Sequence, residues 1–448
     1  MKIRLIQPAQ LDEHGQPKKH KKLFLPMLTL PTLAALTPAC HDVAITMEYV
    51  QDIDWEEDVD LVGITAATCQ APRAYQVADE FRKRGRRTVM GGIHVSACPE
   101  EALERCDAVV IGEAEGVWDQ VLRDAEHGSL RKIYQAETRP KLTQPTIPRY
   151  DLLDYKHYVI PPFARTPLIP IQTARGCPHE CDFCSVSRFF GRQIRTKPVR
   201  HVIQEIEALR PSRVLFADDN IAADPKHAIE LFEALRPLRL RWACQMSTTA
   251  GRHPDLIEAA ARAGCHENYV GIESLNPESL CSIHKGFNRV EEYERFFKRC
   301  ADVGILAQAS LIFGLDDDTP DTLRQTIETL LSWDVNYIYI AFLTPLPDTR
   351  LHQRFVEDRR IFDPDWSSYD LTHVVFNPKT MSPKDLENML WEMFEQCYSL
   401  PNILKRAWRF RRQYVRYFPR DMAVEEIFFQ WHMRKATRRR MHPFSLGL

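Results

Sequence analysis

At 448 residues, the chain is long enough for two or three domains with separate hydrophobic cores. Its apolar fraction of 44% and charged fraction of 27% exclude disordered, collagen-like and coiled-coil chains. With 59 basic against 61 acidic side chains the net charge is −2, so no global field attracts a polyanion, and no nucleic-acid partner is expected.

The opening M-K-I-R-L-I-Q-P-A-Q turns polar where a secretory signal would become apolar, which predicts a cytoplasmic protein. The long uncharged stretch 23–40 has spanning length but carries three prolines, and it is read as buried loop and helix. Five short apolar runs follow the period of buried parallel strands: K-I-R-L-I, V-A-I-T-M, L-V-G-I-T, T-V-M-G-G and A-V-V-I-G. Between two of them Ala74, Val77, Ala78 and Phe81 share one helix face, and Gly85 ends that helix. This β-α-β rhythm predicts a doubly wound parallel sheet over 1–135, with ligands at the carboxyl ends of its strands. Proline-rich sequence over 136–167, including Q-P-T-I-P-R-Y and V-I-P-P-F, reads as a linker.

A second βα rhythm then begins, with strands expected near 168–173, 213–217, 241–246, 268–272, 305–312 and 336–342. Six strands are too few for a closed eight-fold barrel, so 168–360 is expected to form a partial (β/α)6 barrel with functional groups just after each strand. Val199, Ile203, Ile206 and Leu209 show the helical spacing between two of these strands. Beyond 361 the chain is expected to be helical and, near its end, basic. From 401 to 448 it holds twelve Lys or Arg against three Asp or Glu, interleaved with Trp408, Tyr414, Tyr417, Phe428, Phe429 and Trp431. A solvated helix face that packs its aromatics inward competes with contact to anionic lipid headgroups.

The chemistry concentrates in G-C-P-H-E-C-D-F-C, where Cys177, Cys181 and Cys184 are spaced C-x3-C-x2-C directly after the first barrel strand. Three thiolates on one loop suit three irons of a four-iron, four-sulfur cluster and leave the fourth iron open to a ligand. A zinc site would want a second Cys or His pair at matching spacing, and unrelated buried cysteines would not sit at a strand end. Cys244, Cys265, Cys281, Cys300 and Cys397 lack cluster spacing and are read as core residues, with no auxiliary cluster expected.

With Phe183 before the last cysteine, this segment resembles the signature of the radical S-adenosylmethionine (SAM) superfamily. The resemblance implies a 4Fe-4S cluster on Cys177, Cys181 and Cys184, SAM on the open iron, and a 5′-deoxyadenosyl radical that abstracts hydrogen from an unactivated carbon. By position it implies SAM contacts from Phe183, Asp218, Asp219, Gln245 and Glu273. Read as residues alone, Asp218 and Asp219 could cap a helix, and Glu273 could be a satisfied structural carboxylate.

The amino-terminal third carries a second resemblance. V-M-G-G-I-H-V-S, then C-P-E-E-A-L and D-A-V-V-I-G-E-A-E, is similar to the cobalamin-binding domain that precedes many radical SAM enzymes. It implies a corrin edged by Gly91, Gly92, His94, Gly112 and Glu113, where glycines let the backbone approach a flat ligand. No D-x-H-x-x-G segment is present, which argues against a mutase, and Ala114 replaces the second glycine of the frequent G-E-G-E pattern.

The fold expected from these resemblances is α/β: a Rossmann-like cobalamin-binding sheet, a partial (β/α)6 barrel and a helical carboxyl-terminal region. The expected function is methylation of an unactivated carbon of a small-molecule or lipid substrate, with an electron donor such as flavodoxin or ferredoxin and possible contact with a membrane surface. Its rival is a radical SAM enzyme that couples, cyclises, dehydrates or epimerises without methylating. A redox sensor leaves the strand-end pattern unexplained. A methylthiotransferase is disfavoured, because Cys40, Cys69, Cys98 and Cys106 lack cluster spacing.

Overall fold

The computed structural model describes residues 1–159, 166–414, 417 and 420–442. Part of the V-I-P-P-F segment and of the basic tail lies outside the described residues.

Six parallel strands form the first sheet: β1 (Lys2–Gln7), β2 (Asp42–Met47), β3 (Leu61–Thr65), β4 (Arg87–Gly91), β5 (Ala108–Ile111) and β6 (Ile133–Gln135). Their order is β2-β1-β3-β4-β5-β6, every neighbouring pair parallel. This is the doubly wound arrangement, and the chain reverses direction across the sheet between β1 and β3, where such folds open a ligand crevice. The apolar runs form strands because both faces are covered: Leu5, Leu61, Val62 and Met90 are wholly buried. The helix Ala71–Lys83 buries Ala74, Val77, Ala78 and Phe81 and ends before Gly85, which adopts φ +73°. In the uncharged stretch, Thr29–Leu36 is a helix whose Leu30, Pro31 and Ala34 are buried. The last strand, β6, is three residues long with only Tyr134 buried, too short and polar for an apolar run to reveal.

The second sheet contains β7 (Leu168–Ile171), β10 (Arg213–Phe216), β11 (Arg241–Gln245), β12 (Cys265–Glu273), β13 (Leu306–Phe313) and β14 (Tyr337–Phe342), side by side and parallel. Between β7 and β10 a two-stranded antiparallel ribbon, β8 (Ala174–Arg175) with β9 (Arg195–Thr196), brackets the cysteine loop. Helices such as Val199–Leu209 and Pro225–Leu235 cover the sheet's outer face, giving an open (β/α)6 barrel. Strand β12 starts three residues before the apolar pattern predicts, because Cys265 and His266 are buried despite their polarity.

Helices Pro383–Cys397, Leu400–Gln413 and Arg420–Arg438 close the chain and pack beside β13 and β14. Tyr398 donates to the Ile338 carbonyl at 3.1 Å, and Gln430 to that of Asn336 at 3.2 Å. One expectation about the cysteines fails. Cys244, Cys265, Cys300 and Cys397 are buried, but Cys281 is exposed, since it falls on the outward face of the short helix Pro277–Ser282.

Candidate active site

The cysteine loop is held before any metal is considered. Asp218, two residues beyond β10, accepts hydrogen bonds from the Thr173 and Ala174 amides and the Thr173 hydroxyl, each at 2.7 Å. Burial pushes its carboxyl up to about 6 in spite of these donors. Both oxygens are therefore committed to anchoring the backbone that leads into the cysteines. Gly176 follows with φ +92°, and a Cβ there would lie 2.3 Å from the Gln193 carbonyl oxygen, so only glycine fits. Inside the loop the Cys177 amide donates to the Gly191 carbonyl at 3.2 Å and the Cys184 amide to that of Cys181 at 3.1 Å. The buried Asp182 ties the loop outward, its carboxylate 2.8 Å from His284 Nδ1 and 3.4 Å from Arg354 Nη1.

All three cysteines are partly exposed, as metal ligands at a cleft must be. Burial pushes the Cys181 thiol up to about 12 and the Cys184 thiol to about 11, and raises Cys177 as well, while the Lys285 ammonium opposes each rise. Iron must therefore displace three protons, and a cation already stands nearby to favour the thiolates. Zinc donors about 2.3 Å from one ion would bring sulfurs within roughly 4 Å of one another. Among the described residues the trio whose donor atoms approach within 4.8 Å is instead His94, Cys98 and Glu101. The three cysteine sulfurs therefore do not all lie within 4.8 Å of one another, as single-ion ligation would require.

Around this loop the strand ends supply different groups. Asp219 is unlike its neighbour: its Oδ2 is buried without a hydrogen-bond partner, and burial, then the adjacent Asp218, push its carboxyl up to about 6. Its charge also bears on Cys177 and Cys184. An orphaned buried carboxylate beside the cluster ligands suits an ammonium group such as the one SAM carries. Gln245 ends β11 with its side chain exposed. Glu273 ends β12 at a register shift, with φ 61°, a conformation an L-residue rarely adopts. Its Oε1 sits 2.5 Å from Lys285 Nζ, so this carboxylate is paired within the protein. The same ammonium lies 5.8 Å from the centres of the Phe183 and Phe287 rings, and His179 stacks on Phe287 at 3.5 Å.

Facing the loop, the carboxyl edge of the first sheet opens a cavity of about 350 Å³. Gly91, Gly92, Gly112 and Glu113 line it, together with Met27, Leu28 and the helix Thr29–Leu36 that follows them. Gly92 has φ +103°, and a Cβ would come within 2.9 Å of the Ala66 backbone, so this bare edge depends on glycine. Its far wall is Gln172, Arg175, Phe189 and Phe190, residues on either side of the cysteines. A second cavity of about 500 Å³ shares Ala67, Ile93, Gly112 and Phe189 with the first, and continues past Leu346, Pro347, Tyr369 and Leu371. Bare backbone at the strand ends, an apolar lining and a wall made by residues flanking the cysteine loop fit a flat, extended ligand of the corrin type.

Two expected corrin neighbours are placed differently. His94 does not line the cavity: it is wholly buried, its Nε2 3.0 Å from the Tyr75 hydroxyl and its ring 5.3 Å from that of Trp366, and burial lowers its pKa to about 4. Glu113 does reach the lining, but its carboxylate is occupied. Arg175 Nη1 and Arg195 Nη2 each donate to it at 2.6 Å, and Arg175 also meets Glu115 at 2.5 Å. This ion-pair network joins the cavity edge to the ribbon that brackets the cysteines. The sequence reading passed over Arg175, Arg195, Phe189, Phe190 and Lys285; an arginine directly before the Gly-Cys of the loop was the one available signal.

With this geometry described, comparison with known proteins gives a consistent result. Residues 171–330 match the radical SAM superfamily and residues 35–122 the B12 binding domain. Bacteriochlorophyllide d C-12(1)-methyltransferase of Chlorobaculum tepidum is 31% identical over 389 residues, covering 85% of this chain and 84% of that protein. The chain belongs to the cobalamin-binding radical SAM methyltransferases. Its cofactors are a 4Fe-4S cluster, SAM and cobalamin. Hopanoid C-2 methylase of Rhodopseudomonas palustris is 26% identical over 404 residues, covering 86% of this chain and 73% of that methylase. In fold, the chain is similar to TsrM, a radical SAM methyltransferase from Kitasatospora setae solved with cobalamin and a [4Fe-4S] cluster, with a TM-score of 0.67, 16% identity and coverage of 98% and 99%. Among the described residues no helix is long and apolar enough to cross a membrane.

Proposed function

We propose that this radical SAM methyltransferase adds a methyl group to an unactivated carbon of a lipid-type substrate, an apolar body with a polar edge. The observation that carries the reading is that residues flanking the cysteines, Arg175 on one side and Phe189 and Phe190 on the other, form the wall of the cavity opened by the glycine edge of the first sheet. One cleft thus serves both cofactor sites. Bound there, the cofactors supply the two hard steps, hydrogen abstraction and delivery of a methyl group, and the protein positions and shields them.

The chain's own residues divide the remaining work. Cys177, Cys181 and Cys184 hold the cluster, and Lys285 makes their thiolates easier to form. Asp219 binds the SAM ammonium, while Asp218 acts as the loop's anchor. Gln245 and Phe183 border the bound nucleoside, and Glu273 fixes Lys285. Gly91, Gly92 and Gly112 let the corrin lie against the backbone, with Glu113 holding the opposite wall in place. The second cavity receives the substrate: Leu346, Pro347 and Leu371 offer apolar surface, and Arg139 and Arg188 a polar border. The similarity to a bacteriochlorophyllide methyltransferase and a hopanoid methylase supports an apolar substrate. A flavodoxin- or ferredoxin-type donor supplies the single electron.

The test is an anaerobic reconstitution with iron, sulfide and hydroxocobalamin, followed by SAM, a reductant and a lipid extract. A product carrying one additional methyl group, labelled when methyl-labelled SAM is used, is the expected result. Formation of 5′-deoxyadenosine with a rearranged product and no label would replace methyl transfer with the non-methylating alternative.

A further inference from the structure

Large exposed apolar side chains concentrate at one end of this molecule. Leu400, Leu404 and Trp408 are 45%, 67% and 60% exposed and recur every four residues, so they form a single stripe on the helix Leu400–Gln413. The opposite face of that helix, Ile403, Arg406 and Phe410, is buried. The helix Arg420–Arg438 packs against it, Arg406 Nη2 meeting Gln430 Oε1 at 2.8 Å, and exposes Ile427 and Trp431, at 52% each. The inward side chains already satisfy the packing of both helices, so the outward apolar residues are surplus to the fold.

Cations surround this stripe. Lys405, Arg411, Arg412, Lys435, Arg438, Arg439 and Arg440 are exposed on the same two helices and the turn after them, and the Arg412 guanidinium stands 4.6 Å from the centre of the Trp408 ring. Residues 401–448 hold twelve basic against three acidic side chains in a chain whose net charge is −2. The remainder of the chain is therefore acidic, and the charge is polarised toward this end. Large apolar side chains that can enter an acyl layer, ringed by arginines at headgroup height, match an anionic bilayer more closely than a folded protein partner.

We propose that the helices Leu400–Gln413 and Arg420–Arg438 form a docking face for anionic membrane surfaces. The inference extends the lipid-type substrate proposed above and rests on it for its purpose. His432, next to Trp431, meets the Phe24 ring at 6.4 Å, and Phe24 lies three residues before Met27 in the loop that lines the first cavity. A bilayer on this face therefore lies beside the segment that leads to Met27 at the first cavity.

Vesicle flotation with the full-length protein tests the face, using phosphatidylcholine with and without phosphatidylglycerol. Binding is expected only with phosphatidylglycerol, and lost at about 1 M salt, where screening acts within a few ångströms. Replacing Arg411 and Arg412 together by glutamine should lower the partition constant roughly 30-fold, at about five-fold per charge. The pair Leu404→Ser and Trp408→Ser should abolish the blue shift of tryptophan emission on binding while leaving the melting temperature unchanged. No flotation at low salt overturns the proposal, as does flotation that survives both double variants. It is also overturned by a dimer that Leu404→Ser with Trp408→Ser dissolves, or by capture of random RNA, if either occurs without vesicle binding. Vesicle binding needs neither cofactor nor substrate. If the unaltered protein fails to bind vesicles yet methylates detergent-dispersed substrate, the docking face is refuted and the proposed function stands.

Discussion

The Glu113 clamp makes the sharpest prediction, because it is the charge that joins the carboxyl edge of the first sheet to the ribbon bracketing the cysteines. Its carboxylate is 3% exposed and takes hydrogen bonds from two guanidiniums that are themselves 12% exposed. In Glu113→Ala, Arg175 keeps Glu115 at 2.5 Å, and Arg195 keeps the carbonyls of Pro140 at 2.7 Å and Phe190 at 3.1 Å. The guanidiniums are thus not stranded, and the loss should fall at the lower end of the range for breaking a buried pair, about 3 kcal/mol. Denaturant melts of the cofactor-free protein measure it. A double-mutant cycle of Glu113→Ala with Arg195→Ala isolates the direct pair, for which a coupling of at least ~1.5 kcal/mol is expected. The catalytic readout is the ratio of 5′-deoxyadenosine to methylated product, which should rise as the cavity edge loses its tie to the cysteine ribbon. A stability change under ~0.5 kcal/mol, the size of an ordinary surface substitution, with an unchanged ratio would refute the clamp.

Asp219 and Asp218 should behave in opposite ways. Asp219→Asn should weaken SAM binding at least ten-fold by loss of a charge-assisted contact, with iron content unchanged, measured by equilibrium dialysis on the reconstituted protein. Its carboxyl is raised to about 6 in the folded state, so the folded chain holds the proton longer than the unfolded one, and stability falls as pH rises from about 4 through 6. The asparagine variant without cofactors should therefore be more stable than the parent at pH 7, by on the order of 1–3 kcal/mol, with the gap closing toward pH 4. Asp218→Ala should instead lower both stability and iron content, because the Thr173 and Ala174 amides and the Thr173 hydroxyl all lose their acceptor. Gly176→Ala should abolish cluster assembly, judged by iron analysis and the visible absorption band. For the parent protein, reconstitution should quicken with pH, since thiols held above their ordinary range gain about ten-fold in thiolate per unit. Gly92→Ala should lower retained cobalamin while leaving the iron content intact.

What the sequence disclosed followed from periodicity and local spacing. Parallel strands buried on both faces leave continuous apolar runs, so β1 to β5 were legible, whereas the short edge strand β6 was not. The cysteines announced themselves because all three ligands sit on one loop and need no tertiary information. Long-range pairing was invisible. Asp218 and Asp219 are adjacent and chemically identical in the sequence, and only the fold shows that one is saturated by Thr173 and Ala174 while the other is orphaned. Likewise His94 follows the glycine pair, yet the turn into the helix Ile93–Ala97 carries it beneath Tyr75 and Trp366. Glu113 paired with arginines 62 and 82 residues away leaves no mark in a local pattern.

These misplacements share a cause that bears on how the enzyme works. A cleft between two sheets has no backbone ladder to set its width, and the chain joining them is rich in proline and poor in regular structure. Among the described residues, polar ties at Glu113, Gln10 and Trp366 cross the cleft. Glu113 fixes the wall nearest the cysteines. Gln10, just past β1, donates to the Ser367 carbonyl at 2.8 Å and to Asp370 at 2.7 Å, and Trp366 donates to Glu101 at 3.2 Å. The last two bind the segment after the barrel, 361–375, to the first domain, and that same segment lines the second cavity with Tyr369, Asp370 and Leu371. In the function proposed above, cofactor separation and substrate position are therefore set by the same side chains. Loosening any one tie should shift the balance between productive methylation and idle SAM cleavage before it affects binding of either cofactor alone.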